Sequence, residues 1–149
     1  SSNGLASHFY SYERGTTVYS GRSTSWIGKV GLMYPSDYGY ATSGGSTTNR
    51  ADCMAKEMYS WDNSSYSDCK NNDWLFQSYW MWTISPYSYT GGSVNWISGG
   101  VYIVKYGGKV DVTNASSDNK IRPVVHLKST IKITGGTGSS TDPFILSGN

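Results

Sequence analysis

Residues 94–112 read VNWISGGVYIVKYGGKVDV. β-Branched and aromatic runs separated by two Gly-Gly pairs predict short antiparallel strands joined by hairpin turns. If Gly99-Gly100 is a two-residue turn, Ser98 faces Val101, Trp96 faces Ile103 and Val94 faces Lys105. If Gly107-Gly108 is another, Tyr106 faces Lys109 and Ile103 faces Val112. The turns then agree in placing Val94, Trp96, Val101, Ile103, Val110 and Val112 on one apolar face, with Lys105 at its edge. The opposite face carries Asn95, Ile97, Tyr102, Val104, Tyr106, Lys109, Asp111 and Thr113. That mixture is closer to a recognition surface than to an inert solvated sheet, which carries more Lys and Glu. The alternative is a plain sheet surface of high β-propensity, or one covered by another part of the same chain.

The surrounding chain bounds what this sheet can belong to. Its 149 residues suit a single domain spanning 1–149. Only 37% of residues are hydrophobic, 13 Tyr among them, and 15% are charged, while 18 Gly and a large Ser/Thr share fill much of the remainder. Neither a membrane span nor a charged disordered tail fits, so Tyr and Trp must supply much of both core and surface. The formal charge of +2 is spread over single basic residues without a basic stripe, which argues against nucleic acid as a partner. No apolar run of signal-peptide length opens the sequence, so the expectation is a mature or trimmed form, or a chain that was never secreted.

Cys53 and Cys69 are the only cysteines, without Cys-x-x-Cys spacing or a nearby His pair, so no metal site or cofactor is expected. A disulfide is the better reading and implies an oxidising compartment; the alternative is two buried thiols. Residues 8–21 and 26–41, rich in aromatic and β-branched residues, are expected to be strands and extended loops. In 47–61 the residues Ala51, Met54, Ala55, Met58 and Tyr59 fall at helical spacing, predicting one main helix at roughly 48–60 capped by Thr48 or Asn49. A short helical turn near 73–78 is a further expectation, and from Tyr79 onward the pattern is strand, turn, strand.

Six stretches carry a resemblance: YERGTTVYSGR (12–22), GKVGLMYPSDYGYATSGG (28–45), CKNNDWL (69–75), WTISPYS (82–88), IRPVVHLKS (121–129) and ITGGTGSSTDPFIL (133–146). Together they resemble a domain of surface and pilin-associated proteins of gut bacteria. The arrangement of helix, long loops, hairpins and closing strand is similar to a C-type-lectin-like fold, a group that includes hypervariable ligand-binding proteins diversified by retroelements. The resemblance implies an α+β domain of twisted antiparallel sheets with one main helix and long loops, forming the C-terminal part of a longer surface protein. It implies a ligand surface within residues 83–119, with Tyr87, Tyr89, Asn95, Tyr102, Tyr106, Asp111, Asn114 and Asp118 as ligand-binding residues; Trp96 is set aside because the register points it inward. There is no Glu-Pro-Asn or Gln-Pro-Asp triplet of the calcium-dependent sugar-binding lectins.

The function so implied is non-catalytic recognition or adhesion at a bacterial cell surface, pilus or phage particle, toward a protein or glycan on another cell, without membrane insertion of this chain. His126 lies in a strand-like run, and Asp37 and Asp142 sit where Asp makes turns, so none suggests catalysis. GGTGSS (135–140) lacks the Lys-Ser/Thr of a phosphate loop. Two alternatives stand beside recognition: a structural pilin or surface-fibre subunit, and a formylglycine-generating-type oxidase using Cys53 and Cys69.

Overall fold

The structure, a computed structural model, describes residues 4–15, 27–87, 100–139 and 141–148. Four short helices precede a run of antiparallel strands, an α+β arrangement. The helices are α1 (Ala6–Glu13), α2 (Pro35–Ala41), α3 (Arg50–Met54) and α4 (Ser67–Asn71), with 3-10 turns at Met58–Ser60 and Ser64–Tyr66. A two-residue strand, β1 (Gly31–Leu32), lies between α1 and α2. Strands β2 (Met81–Pro86), β3 (Gly100–Val104) and β4 (Val110–Asn114) form the main sheet with β3 central. Then β5 (Pro123–Val124) pairs with β1, and β6 (Lys132–Gly135) with β7 (Ile145–Ser147).

Within the two segments expected to be extended, residues 8–13 and 35–41 are helical, while Gly31–Leu32 is a strand as expected. In α1, Ala6 and Phe9 are buried one turn apart while Tyr10 and Tyr12 face solvent, so its aromatic content reflects packing and not strand formation. Pro35 opens α2 where its missing N–H costs nothing, and the Asp37 carboxylate accepts the Tyr34 N–H at 2.9 Å. Glu13, at the end of α1, accepts the Ser36 N–H at 3.0 Å and the Ser36 hydroxyl, placing a second carboxylate at that N-terminus. Arg14 stacks over the Tyr34 ring at 4.3 Å. The helices meet at Gly39, where a Cβ would stand 2.6 Å from both Ala6 Cβ and Met58 Sδ.

The expected single helix at 48–60 is instead α3, a break at 55–57, and the 3-10 turn from Met58. Asn49 caps α3 by accepting the Asp52 N–H at 3.0 Å. Ala51, Ala55 and Tyr59 are exposed, whereas Cys53, Met58 and Trp61 are buried. That spacing of five and three is served better by two short turns than by one continuous helix. Residues 73–78 are not helical; the helical turn lies earlier, in α4. Cys53 of α3 and Cys69 of α4 form a disulfide, both residues fully buried, with a Cα–Cα separation of 5.5 Å. Closing a loop of that size contributes about 3 kcal/mol in the chain-entropy model.

The main sheet lies against these helices. Met81, Val104 and Val110, side by side on β2, β3 and β4, join Phe9, Met33, Tyr38, Met58, Trp61 and the cystine in one buried cluster. The Tyr38 hydroxyl crosses the core to donate to the Gly108 carbonyl at 2.6 Å. The outer edge of β2 is closed by backbone bonds, Ile84 N–H to Met33 O and Trp82 N–H to Lys120 O, each 2.9 Å. By contrast, none of the described residues from 125 to 148 is buried, and β6–β7 stands outside the core.

The turn between β3 and β4 differs from the two-residue expectation. Lys105 N–H donates to Lys109 O at 2.9 Å and Gly108 N–H to Lys105 O at 2.8 Å, leaving a three-residue loop, Tyr106-Gly107-Gly108. Gly108 has φ +86°, the left-handed residue that closes such a loop with a bulge. The observed partners are Ile103↔Asp111, Tyr102↔Val112 and Val101↔Thr113, one step from the expected Ile103–Val112 pairing. The Gly99-Gly100 turn and the pairings of Val94, Trp96 and Ser98 lie outside the described residues, except that Gly100 itself is a β3 residue opposite Asn114.

Gly108→Ala is expected to destabilise the fold by more than about 1 kcal/mol, because alanine is strained at positive φ and its Cβ would lie 2.5 Å from Lys70 Cβ. Chemical denaturation measures this, and an unchanged midpoint would contradict the turn. A second expectation concerns Asp73, which is buried, accepts the Leu75 N–H through Oδ1 at 2.8 Å, and leaves Oδ2 sealed without a hydrogen-bond partner. Burial pushes its carboxyl up to about 7, against the lowering effect of the Leu75 and Phe76 N–H groups and Arg122. The folded state therefore holds a proton that the unfolded chain releases near pH 4, so this contribution to stability is complete below pH 4 and is lost as pH rises to 7. Burial raises Glu13 in the same direction. Asp73→Asn should flatten the decline in urea midpoint between about pH 4 and 7; an identical slope in both proteins would refute the assignment.

Candidate functional site

The register sorts the side chains of the sheet. Tyr102 pairs with Val112 and lies on the same side as Val104 and Val110, facing the helices. It was expected on the bare face; the one-step shift and the helix α1, read as strand, account for the difference. Its ring meets Phe9 edge-on at 5.0 Å and Tyr87 at 5.5 Å. Burial pushes the Tyr102 phenol well above its ordinary value. Tyr102 and Tyr87 thus form an aromatic seam between α1 and the sheet, and the seam reaches the surface at Tyr59.

The opposite side presents Trp82, Ile103 and Asp111 in a row across the three strands. Asp111 has both carboxylate oxygens engaged: Oδ1 accepts the Val112 N–H at 2.8 Å, and Oδ2 faces Lys105 Nζ at 2.7 Å and Lys109 Nζ at 3.7 Å. Partial burial works to raise its carboxyl, but the bonds from Lys105 and Val112 and the two lysine charges outweigh it, so it stays below the ordinary carboxylate value. Lys109 continues to Asp62 at 3.2 Å, and Lys105 Nζ hangs over the Trp80 ring at 5.0 Å from its centroid. Asp111 therefore organises a charge row that positions Lys105 on Trp80.

Beside that row lies an open cleft of about 350 Å³, walled by Tyr79, Trp80 and Trp82 on one side and Ser117, Asp118, Asn119 and Lys120 on the other. Trp82 N–H bonds to Lys120 O and Lys120 N–H to Trp80 O, both at 2.9 Å, so this run is extended and its alternate residues, the two indoles, share a side. The loop after β4 is held by a Thr113–Ser117 hydroxyl contact of 3.1 Å. Asn119 lines the cleft with both amide atoms sealed from solvent and without a hydrogen-bond partner, a burial that typically costs 1–3 kcal/mol.

Of the residues singled out from the sequence, Asp118 is exposed and lines the cleft, and Asp111 lies in the neighbouring row. Tyr106 is 65% exposed at the hairpin tip, and Asn114 is exposed at the far end of β4. Tyr87 and Tyr102 sit on the helix side of the sheet. Tyr89 and Asn95 lie outside the described residues. The cleft residues Tyr79, Trp80, Trp82, Ser117, Asn119 and Lys120 were not singled out, although the alternation in YWMWT (79–83), with Met81 buried between two Trp, is the strand signal that places both indoles together. Among the described residues no group of His, Cys, Asp and Glu could hold a metal ion. The chain matches no protein-family model, no curated protein and no solved structure.

Tyr102 and Tyr106 are expected to separate in a stability assay. Tyr102→Ala should cost about 2–4 kcal/mol, as loss of a packed aromatic does, while Tyr106→Ala should stay within about 0.5 kcal/mol. Equal effects of the two substitutions in urea denaturation would contradict the assignment of faces.

Proposed function

We propose that this chain is a non-catalytic recognition module of C-type-lectin-like architecture, carried by a bacterial or phage surface protein such as a pilus-associated variable protein of a diversity-generating retroelement. The single observation that carries the reading is the cleft on the outer side of the main sheet. Two indoles and a phenol provide rigid apolar contact there, and Ser117 and Asp118 supply polar groups at its rim. The cleft overlaps the 83–119 span that the resemblance implies, through Ser117, Asp118 and Asn119, and extends it to Tyr79, Trp80, Trp82 and Lys120. The buried cystine supports an oxidising, extracellular setting, and among the described residues no helix is long and apolar enough to cross a membrane. The same cystine offers no thiol for an oxidase reaction.

A fibre subunit is the second reading, favoured by β6–β7. Ile133, Phe144, Ile145 and Leu146 are each about half exposed or more there, on a two-stranded hairpin of a kind that is marginal without further packing.

Labelled protein applied to glycan and peptide arrays tests the recognition reading. It should give a saturable signal that Trp82→Ser abolishes and Tyr106→Ala leaves in place. Signals unaffected by Trp82→Ser, together with concentration-dependent polymerisation of the unmodified chain by sedimentation, would favour the fibre subunit.

A further inference from the structure

Resting on the recognition reading of the same cleft, the geometry points to a particular ligand chemistry: we propose that it binds a quaternary ammonium group of the choline type. Trp80 shows the preference directly. Lys105 Nζ stands 5.0 Å from its ring centroid, held in place by the 2.7 Å contact with Asp111. An indole carries the same negative π density on both faces, and Trp is the strongest of the aromatic partners for a cation. Lys105 occupies one face, and the ring is still 37% exposed as it lines the cleft. Trp82 stands on the same side of the strand, and Tyr79, 42% exposed, adds a third ring.

Among the described residues the only carboxylate lining the cleft is Asp118, which is exposed. Aromatic faces with one carboxylate suit a cation that has no N–H to satisfy. The other charge in the wall is Lys120. The cation thus meets ring faces and a carboxylate, with the neighbouring Lys105 ammonium held by Asp111.

Titration of the whole chain with choline, followed through the indole N–H resonances, tests this. Choline should shift Trp80 and Trp82, and its neutral isostere 3,3-dimethylbutan-1-ol should bind roughly 3- to 30-fold more weakly. Trp80→Leu should abolish the choline response. Asp118→Asn, on an exposed side chain, should weaken it several-fold with an unchanged melting temperature. Phosphocholine in solution and phosphatidylcholine vesicles separate the sources: cosedimentation with vesicles assigns a lipid headgroup, and a response to phosphocholine alone assigns a soluble or polymer-linked one. Equal affinity for the isostere, or no indole shift with choline at saturating millimolar concentration, would overturn the ammonium assignment. An array signal abolished by Trp82→Ser would leave recognition standing in that case, so the two readings fail separately.

Discussion

Gly108 is the point on which both faces of the sheet depend. Its positive φ closes the three-residue turn, its carbonyl receives the Tyr38 hydroxyl from α2, and its bare Cα lets the Lys70 stem of α4 pass. One backbone conformation thus sets the β3–β4 register and fastens the hairpin to two helices. Because side chains alternate with period two, a step of one residue exchanges the faces of β4 relative to β3. The observed register sends Val104 and Val110 together into the core and leaves Ile103 with Asp111 on the other side.

Ile103 is fully buried although it faces away from the helices. The central strand is thus buried on both sides, against the helical layer on one of them. Beside the Trp82 row, the loop after β4 holds the unsatisfied amide of Asn119. The cleft on this side is walled by Trp82 of β2 and the residues just before it, with a rim in a loop, a division common to recognition surfaces. The helical side relies on Gly39, the cystine and the crossing Tyr38, which hold short helices that would not be stable alone.

Much of this was legible in the sequence, and the failures have physical causes. The α+β class, the succession of strands after Tyr79, the hairpin at 105–109, the Asn49 cap and the Cys53–Cys69 bond follow from composition, turn residues and spacing. Helices α1 and α2 were hidden by their aromatic residues, although Pro35 followed by Asp37 carries a helix-start pattern. The register was missed because Gly-Gly admits both a two-residue turn and a three-residue turn closed by the second glycine, and the choice rests on Tyr38 and Lys70, far away in sequence. Tyr102 illustrates the consequence: its composition suited a bare recognition face, but Phe9 of an unrecognised helix covers it. The cleft joins residues 79–82 to 117–120 through the backbone bridge at Lys120, a long-range pairing that no local pattern reveals.

The most direct test is the pairing of β3 with β4 in solution by nuclear Overhauser spectroscopy. Since Lys105 N–H bonds to Lys109 O, alternation makes Val104–Val110 and Tyr102–Val112 the close, non-hydrogen-bonded pairs. Strong Hα–Hα contacts between Tyr102 and Val112 and between Val104 and Val110 are the expected result. A contact between Ile103 Hα and Val112 Hα, or between Lys105 Hα and Val110 Hα, would place Gly107-Gly108 in a two-residue turn and contradict the account of both faces.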